Sequence, residues 1–416
     1  MKMGGLWPAT SGGRVRSLQT VSRLSMRHQV TVVTTHGPGD DPTGLVRQLP
    51  YCRRIVSIPY AAPKFGSAAF LRAVAASWFS AYPVDLWKWR HRAMREEVRK
   101  LLDEEAVDLC VADFLVAMPN LPRGTRVPVV LFEHNVEYLI WRRLATLERR
   151  AARKALLEIE WRKLRRREAA ACNSVNLTIA VSEQDRGALT DLARGARITS
   201  VPTGVDTEYF APGGRPEVPA RLVFTGSMDW HPNEDAVLYF SETILPRIRA
   251  QIPEVSFTVV GRNPGPRLEH LTRLGVTVTG SVPDVRPFVD ESAVYVVPLR
   301  AGSGTRLKIF EAMAMAKAVV STTIGAEGLA VKSWREIVIA DDPDDFARAV
   351  TSLLRDPDAR QRLGHAGRAL VESAYSWEVA VRSFESHCEA VVARDDLQRV
   401  QGTHGASAVL SGREPI

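Results

Sequence analysis

The stretch 298–313 carries the residues best suited to hold a charged ligand. It reads Pro-Leu-Arg-Ala-Gly-Ser-Gly-Thr-Arg-Leu-Lys-Ile-Phe-Glu-Ala-Met. Gly302 and Gly304, with Ser303 between them, let backbone N–H groups approach an anion closely. A helix is predicted from Thr305, and its N-terminus favours negative charge. Arg306 and Lys308 lie in the first turn, where cations oppose the dipole by about 0.3–1 kcal/mol each. That placement makes sense if a phosphate group binds in front of them. Glu311 comes further along, and a carboxylate accepting two hydroxyls at once suits a ribose diol. Each residue alone reads as a solvated loop charge; together, at a strand end, they point to a phosphate site. No Gly-Lys-Ser/Thr follows, and Leu307 breaks Gly-x-Gly-x-x-Gly, so neither common phosphate loop is present.

Three other places could carry chemistry. Gly12 and Gly13 form a Gly-rich turn (Ser11-Gly12-Gly13) almost at the start, with only residues 1–7 ahead of it. Either that short piece is the first strand or the first strand lies upstream. His134 ends an apolar run, with Glu133 and Asn135 beside it. Alone it reads as structural; ending an apolar strand at an expected cleft edge, it becomes a site candidate. Asp342-Pro343-Asp344 and Asp356-Pro357-Asp358 have a metal-motif form, but each precedes a helical pattern and reads as a cap. No essential metal and no cofactor are expected.

The elements that must position these residues alternate. Short apolar runs at 30–35, 54–58, 108–112, 128–132, 177–181 and 198–201 read as strands. A second set lies at 222–225, 256–260, 276–279, 294–297, 318–322 and 336–339. Continuous apolar runs separated by helical patterns predict parallel strands in an α/β, doubly wound architecture. Twelve strands are many for one sheet, so two domains follow. The Pro- and Gly-dense stretch 201–219 marks the break. The predicted organisation is an N-terminal Rossmann-like domain over 1–201 and a C-terminal one over 202–376. A helix over 377–394 and a disordered tail over 395–416 complete it.

Composition narrows the class. The 416 residues are 45% hydrophobic and 25% charged, which excludes a fibrous or largely disordered chain. No transmembrane helix or signal peptide is expected. Four scattered cysteines argue for a reducing cytosol. The net charge of +8 resides in residues 142–167, where eleven basic residues face three acidic ones. The rest of the chain balances, so nucleic-acid binding is not supported. Residues 138–170 read as one long helix with Leu144, Leu147, Ala151, Ala155 and Ile159 at helical spacing. It is either docked on its domain through that stripe or drawn to anionic lipid head groups. The stretch 68–82, with Phe70, Trp78 and Phe79, reads first as core and otherwise as acceptor-side apolar surface.

The sequence resembles glycosyltransferase family 4 (group 1), retaining nucleotide-sugar enzymes with two facing Rossmann-like domains, the GT-B fold. Ser11-Gly12-Gly13-Arg14-Val15-Arg16 is similar to the family's N-terminal glycine loop. Val201-Pro202-Thr203-Gly204-Val205-Asp206 with Phe210 resembles its interdomain signature. Phe224-Thr225-Gly226-Ser227 resembles the opening of its second domain, and the loop 280–285 with Val282 its base-contacting loop. Glu311-Ala312-Met313-Ala314 resembles its ribose-binding helix. Tyr375-Ser376-Trp377 resembles the start of a helix that returns to the first domain.

The resemblance implies donor contacts at Gly12, Gly13, Gly226, Val282, Gly302, Ser303, Gly304, Thr305 and Glu311. It implies diphosphate neutralisation by Arg306 and Lys308, and His134 near the transferred sugar. Arg16, Arg142 and Arg143 are acceptor-side or membrane candidates. Ser303 stands where the family often has Glu, and 228–233 lacks its common Gly-Arg and Lys pair. Asn233 there reads first as a helix N-cap and otherwise as a ligand contact.

The implied function is transfer of a hexosyl unit, with retention, from a nucleotide diphosphate sugar to a glycan or lipid-linked acceptor in cell-surface polysaccharide synthesis. A sugar-nucleotide epimerase of the same fold and a non-catalytic sugar-nucleotide-binding protein are the alternatives. The implied location is the cytoplasm, with peripheral contact at the inner face of the plasma membrane as an option.

Overall fold

The computed structural model describes the chain except residues 64–65, 105, 149, 229, 302–306 and 411–416, and side chains except also those of 147 and 398–410. The apolar runs form parallel strands within a residue or two of their predicted bounds. They are β1 (Thr31–His36), β2 (Arg54–Pro59), β3 (Cys110–Asp113), β4 (Val129–Phe132), β5 (Leu177–Ala180) and β6 (Ile198–Ser200). The second set is β7 (Arg221–Thr225), β8 (Ser256–Val260), β9 (Val276–Val278), β10 (Val294–Val297), β11 (Ala318–Ser321) and β12 (Val338–Ile339).

The chain forms two compact units: Met1–Pro202 joined by the chain from Val381 on, and Thr203–Ala380. In the first, β1 pairs with β2, and β3 to β6 pair in order. Lys2 takes the missing strand position, bridging Thr34 of β1 and Asp113 of β3 in parallel. Its N–H donates to Val33 O at 2.9 Å, and Asp113 N–H donates to Met1 O at 2.9 Å. In the second unit the order is β12-β11-β10-β7-β8-β9. The order reverses between β7 and β10, which opens a crevice at the carboxyl ends of those two strands. Fully buried Phe224, Phe257, Tyr295 and Phe310 pack around them.

Helix Trp377–Leu410 starts in the second unit and continues in the first. Phe384 packs on Phe132 with ring centroids 4.9 Å apart, and Glu385 pairs with Arg27 and His28. The helix runs past residue 394 into the predicted disordered tail. Helix-forming Ala, Arg, Leu and Gln populate that stretch and outweigh its two glycines.

Two expectations fail here. The predicted single helix over 138–170 is two helices, Glu137–Leu147 and Ala151–Asn173. The chain turns extended at Glu148, whose carboxylate pairs with Arg153 at 3.0 Å. The second helix folds back so that Glu168 accepts the N–H groups of Glu137 (2.7 Å) and Tyr138 (2.9 Å), capping the first. Glu160 does the same for helix Val84–Trp87, accepting Val84 N–H at 2.6 Å. The inward face is therefore Glu160, Leu164, Glu168 and Cys172. Leu144, Ala151, Ala155 and Ile159, expected to dock, are exposed. The 68–82 stretch is not core either. Helix Ala68–Trp78 buries only the small residues Ala73 and Ser77, leaving Leu71, Trp78 and neighbouring Phe79 exposed.

Candidate active site

In the second unit the phosphate-site prediction falls partly outside the described residues. Gly302, Ser303, Gly304, Thr305 and Arg306 all lie there. The described part begins with helix Leu307–Ala314, which leaves from the crevice between β7 and β10. Lys308 Nζ donates to Asn233 Oδ1 at 2.8 Å and stands 4.0 Å from the Phe224 ring centroid. Asn233 Nδ2 in turn donates to Ser227 O at 2.8 Å. Lys308 is thereby aimed at the end of β7. Asn233 is buried inside helix His231–Tyr239, whose N-cap is Trp230, so the expected capping role is wrong. Its amide is spent on Lys308 instead.

Gly226 completes this corner. A Cβ there would stand 2.6 Å from Lys308 Nζ and 2.7 Å from Asn233 Nδ2. Only glycine leaves both groups in place. Glu311 sits one turn beyond Lys308 on the same helix. Burial pushes its carboxyl up to about 7, with Lys308 pulling the other way. It can therefore switch charge near neutrality. Val282 is half-buried on the loop after β9, two strands from β7, and packs against the core.

In the first unit, Asp113 ends β3 and His134 follows β4. His134 Nε2 lies 2.9 Å from Asp113 Oδ1, and Lys2 Nζ lies 3.4 Å from Asp113 Oδ2. Phe114 takes φ 73°, a sparsely populated conformation for an aromatic residue. Its ring centroid lies 3.7 Å from that of His134 with the planes tilted by 37°, and Lys2 Nζ stands 4.1 Å from its centroid. Gly13 opens helix Gly12–Ser25 against this cluster. A Cβ there would meet Phe114 Cζ at 2.6 Å and His134 Nδ1 at 3.7 Å.

Charge is arranged tightly in this cluster. Burial pulls His134 down to about 3 against the attraction of Asp113, so the ring is neutral. For Asp113 burial works upward, but Lys2 and His134 outweigh it and hold the carboxyl well below the usual range. Burial lowers Lys2 and brings Arg16 down to about 10. Arg16 is 7% exposed, which removes it from any membrane-facing role. Arg142 and Arg143 are exposed. Among the described residues both ring nitrogens of His134, Asp113 Oδ1 and Arg16 Nε are among the buried polar atoms without a hydrogen-bond partner, so the His134–Asp113 contact is close but not aligned as a hydrogen bond. Neighbouring Glu133 is held well above the usual carboxylate range by burial and by Glu168 and Glu137.

Sequence reasoning missed Lys2 and Asp113, and gave Asn233 a capping role in place of its contact with Lys308. Asp342 and Asp356 do cap helices, accepting Asp344 N–H and Ala359 N–H at 2.8 Å each. No described helix is long and apolar enough to cross a membrane.

The comparisons with known proteins agree with this geometry. The description Glycosyltransferase Family 4 matches residues 10–209, and Glycosyl transferases group 1 matches 219–356. Sucrose-phosphate synthase from Thermosynechococcus elongatus superposes with TM-score 0.66 at 17% identity, covering 92% of this chain and 94% of that one. Anabaena HepE, in complex with UDP and glucose, superposes with TM-score 0.63 at 14% identity, covering 92% and 98%. A Corynebacterium glutamicum GDP-mannose-dependent monoacylated α-(1-6)-phosphatidylinositol monomannoside mannosyltransferase is 25% identical over 206 residues, 43% of this chain and 52% of its own length. An uncharacterised 44.6 kDa protein of the Klebsiella pneumoniae cps region is 20% identical over 164 residues, 37% and 42%. The chain thus spans about half the length of the curated relatives it matches. Two doubly wound parallel sheets, a lysine at the second sheet's switch point and these two matches together place the chain in the group 1, family 4 glycosyltransferases of GT-B fold.

Proposed function

We propose that this glycosyltransferase moves a hexosyl unit, with retention, from a nucleotide diphosphate sugar to a glycan or lipid-linked acceptor in cell-surface polysaccharide synthesis. The observation that carries the reading is Lys308, held by Asn233 at the carboxyl end of β7. Breaking the sugar–phosphate bond builds negative charge on the leaving diphosphate. A fixed ammonium stabilises that charge more than it stabilises the bound donor. Arg306 is proposed to add a second cation, and the 302–305 backbone its amides. Ionised Glu311 accepts the two ribose hydroxyls.

His134 serves the transferred sugar. Its neutral ring accepts a hydroxyl through Nδ1 and places no second positive charge beside a sugar gaining oxocarbenium character. Neither cluster offers a carboxylate placed as a nucleophile among the described residues, which favours front-face transfer in which the leaving phosphate takes the acceptor's proton. Neither the diphosphate nor the sugar role requires a metal ion in this scheme. HepE is named in complex with UDP and glucose, and the C. glutamicum relative as GDP-mannose-dependent, which supports a nucleotide-sugar donor. The relative's lipid acceptor and the exposed basic helix support a lipid-linked acceptor and peripheral membrane contact.

The test is a thermal-shift screen with UDP-, GDP- and ADP-sugars, followed by nucleotide release with a crude lipid fraction as acceptor. One donor class raises Tm by mass action and releases its diphosphate nucleotide. A donor that binds but is never turned over would leave only a binding protein.

A further inference from the structure

Helix Ala68–Trp78 is built inside out. Its buried side carries Ala73 and Ser77, while Leu71, Ala75, Trp78 and Phe79 run along the outer face at helical spacing. Phe79 is 94% exposed and Trp78 57%. Folding gains nothing from apolar side chains left in water, and a contiguous exposed set of this kind marks a contact surface.

The helix is strapped to the basic one. Lys163 Nζ donates to Ser77 O at 3.0 Å and Arg167 Nε donates to Ala81 O at 3.0 Å. Arg167 also stands 4.1 Å from the Tyr82 ring centroid. Beside that junction, four residues before Lys163 and three after, Ile159 and Arg166 are exposed. Arg162 is exposed on the same flank and paired with Glu158. Exposed Trp, Phe, Leu and Ile thus border exposed guanidinium groups within one unit.

We infer that the outer face of helix Ala68–Trp78 and the adjoining flank of helix Ala151–Asn173 form one surface that lies on an anionic lipid bilayer. The apolar side chains enter the head-group boundary, and the arginines meet the lipid phosphates. Charge complementarity selects this occupant: the apolar face borders a segment, residues 142–167, with eleven basic residues against three acidic ones, as a bilayer of acidic lipids requires. The inference rests on the reading of a lipid-linked acceptor and names the surface that would bring the enzyme to it.

The experiment uses the full chain. Sedimentation is run with vesicles of phosphatidylcholine alone and with about 30% phosphatidylglycerol. Binding is expected to be at least about tenfold tighter to the anionic vesicles and to weaken with salt. Trp78→Ser with Phe79→Ser, and separately Arg166→Glu, are expected to lose most of that binding with Tm unchanged. Equal binding to both vesicle types, no binding, or wild-type binding by the double variant would overturn the surface. So would a wild-type dimer that the double variant splits, which would assign the face to a second copy. Donor turnover with a soluble acceptor reads out the transferase separately: a wild-type enzyme that turns over donor but binds neither vesicle type removes this surface alone, whereas wild-type vesicle binding without turnover removes the transferase reading.

Discussion

The Nε2 atom of His134 lies 2.9 Å from Oδ1 of Asp113. The two atoms are not aligned as a hydrogen bond, but a proton on Nε2 is the form that suits a carboxylate so near, and it leaves the lone pair on Nδ1. Nδ1 is the atom 3.7 Å from where a Cβ on Gly13 would stand. Asp113 is therefore a positioning residue, fixed by Lys2. Asp113→Asn is expected to lower kcat about tenfold, on the scale of one lost polar contact, with donor KM little changed. It also leaves Lys2 buried without its countercharge, at a cost of about 3 kcal/mol in stability. Steady-state kinetics and a denaturation curve read the two effects separately. Unaltered kcat would remove Asp113 from the mechanism.

The same cluster makes Gly13 sensitive. Gly13→Ala places a methyl group 2.6 Å from Phe114 Cζ, and that ring already lies on His134. The ring must shift, and His134 with it. Turnover is expected to fall further than donor affinity. A fully active Gly13→Ala enzyme would show that the contact is not part of the site.

Glu311 gives a pH dependence. Burial holds its carboxyl near 7. Only the ionised form accepts two ribose hydroxyls, so donor affinity rises as pH increases through that value. Between about pH 6 and pH 8 the ionised fraction grows roughly tenfold, and Kd should fall by a similar factor. Glu311→Gln should bind weakly at both pH values with a flat profile. Calorimetric titration of the nucleotide diphosphate checks this; a profile that stays steep in the variant would assign the titration elsewhere.

The strands were readable because burial on both faces writes a continuous apolar run into the sequence. Lys308 stands out in the sequence because a cation in the first turn opposes the helix dipole, and Glu311 because a carboxylate beyond it suits a diol. Asn233 does not, because its partner lies 75 positions away and its local spacing mimics a cap. Lys2 near a chain end reads as a solvated charge, and only its strand position between Thr34 and Asp113 buries it. The basic helix was misread for a different reason. Periodicity tells which side chains share a face, but not which face meets the core. Glu160 and Glu168 take the inner side because two helix N-termini there need acceptors, and the apolar stripe is left outside.

Lys308 can be tested without deleting it. Lys308→Ala should lower kcat about a hundredfold, as removal of one preorganised donor does, with donor KM within a few-fold. Asn233→Ala keeps the charge but frees the side chain, and an intermediate loss is expected. Gly226→Ala intrudes on both groups at once and should resemble Lys308→Ala in kcat while Tm stays near wild type, since a flexible side chain can yield. If Lys308→Ala raised KM alone, the ammonium would serve binding rather than the transition state.

Glu168 links the fold to pH. Burial pushes its carboxyl up to about 8 against the N–H donors of Tyr138 and Glu137, from an unfolded value near 4.3. The folded protein therefore holds the extra proton between those values. This contribution is full at the acid end and is lost as pH rises toward about 8. Burial gives Glu137, at about 7, the same sign. His134 has the opposite one: its folded value near 3 lies below the unfolded 6.5, so its contribution is lost as pH falls from 6.5 toward 3. Wild-type Tm should decline from about pH 6 to about pH 8.5. Glu168→Gln retains one acceptor for the capped helix, starts lower at about pH 6 and declines less. Parallel slopes in wild type and variant would show that Glu168 does not carry the alkaline loss.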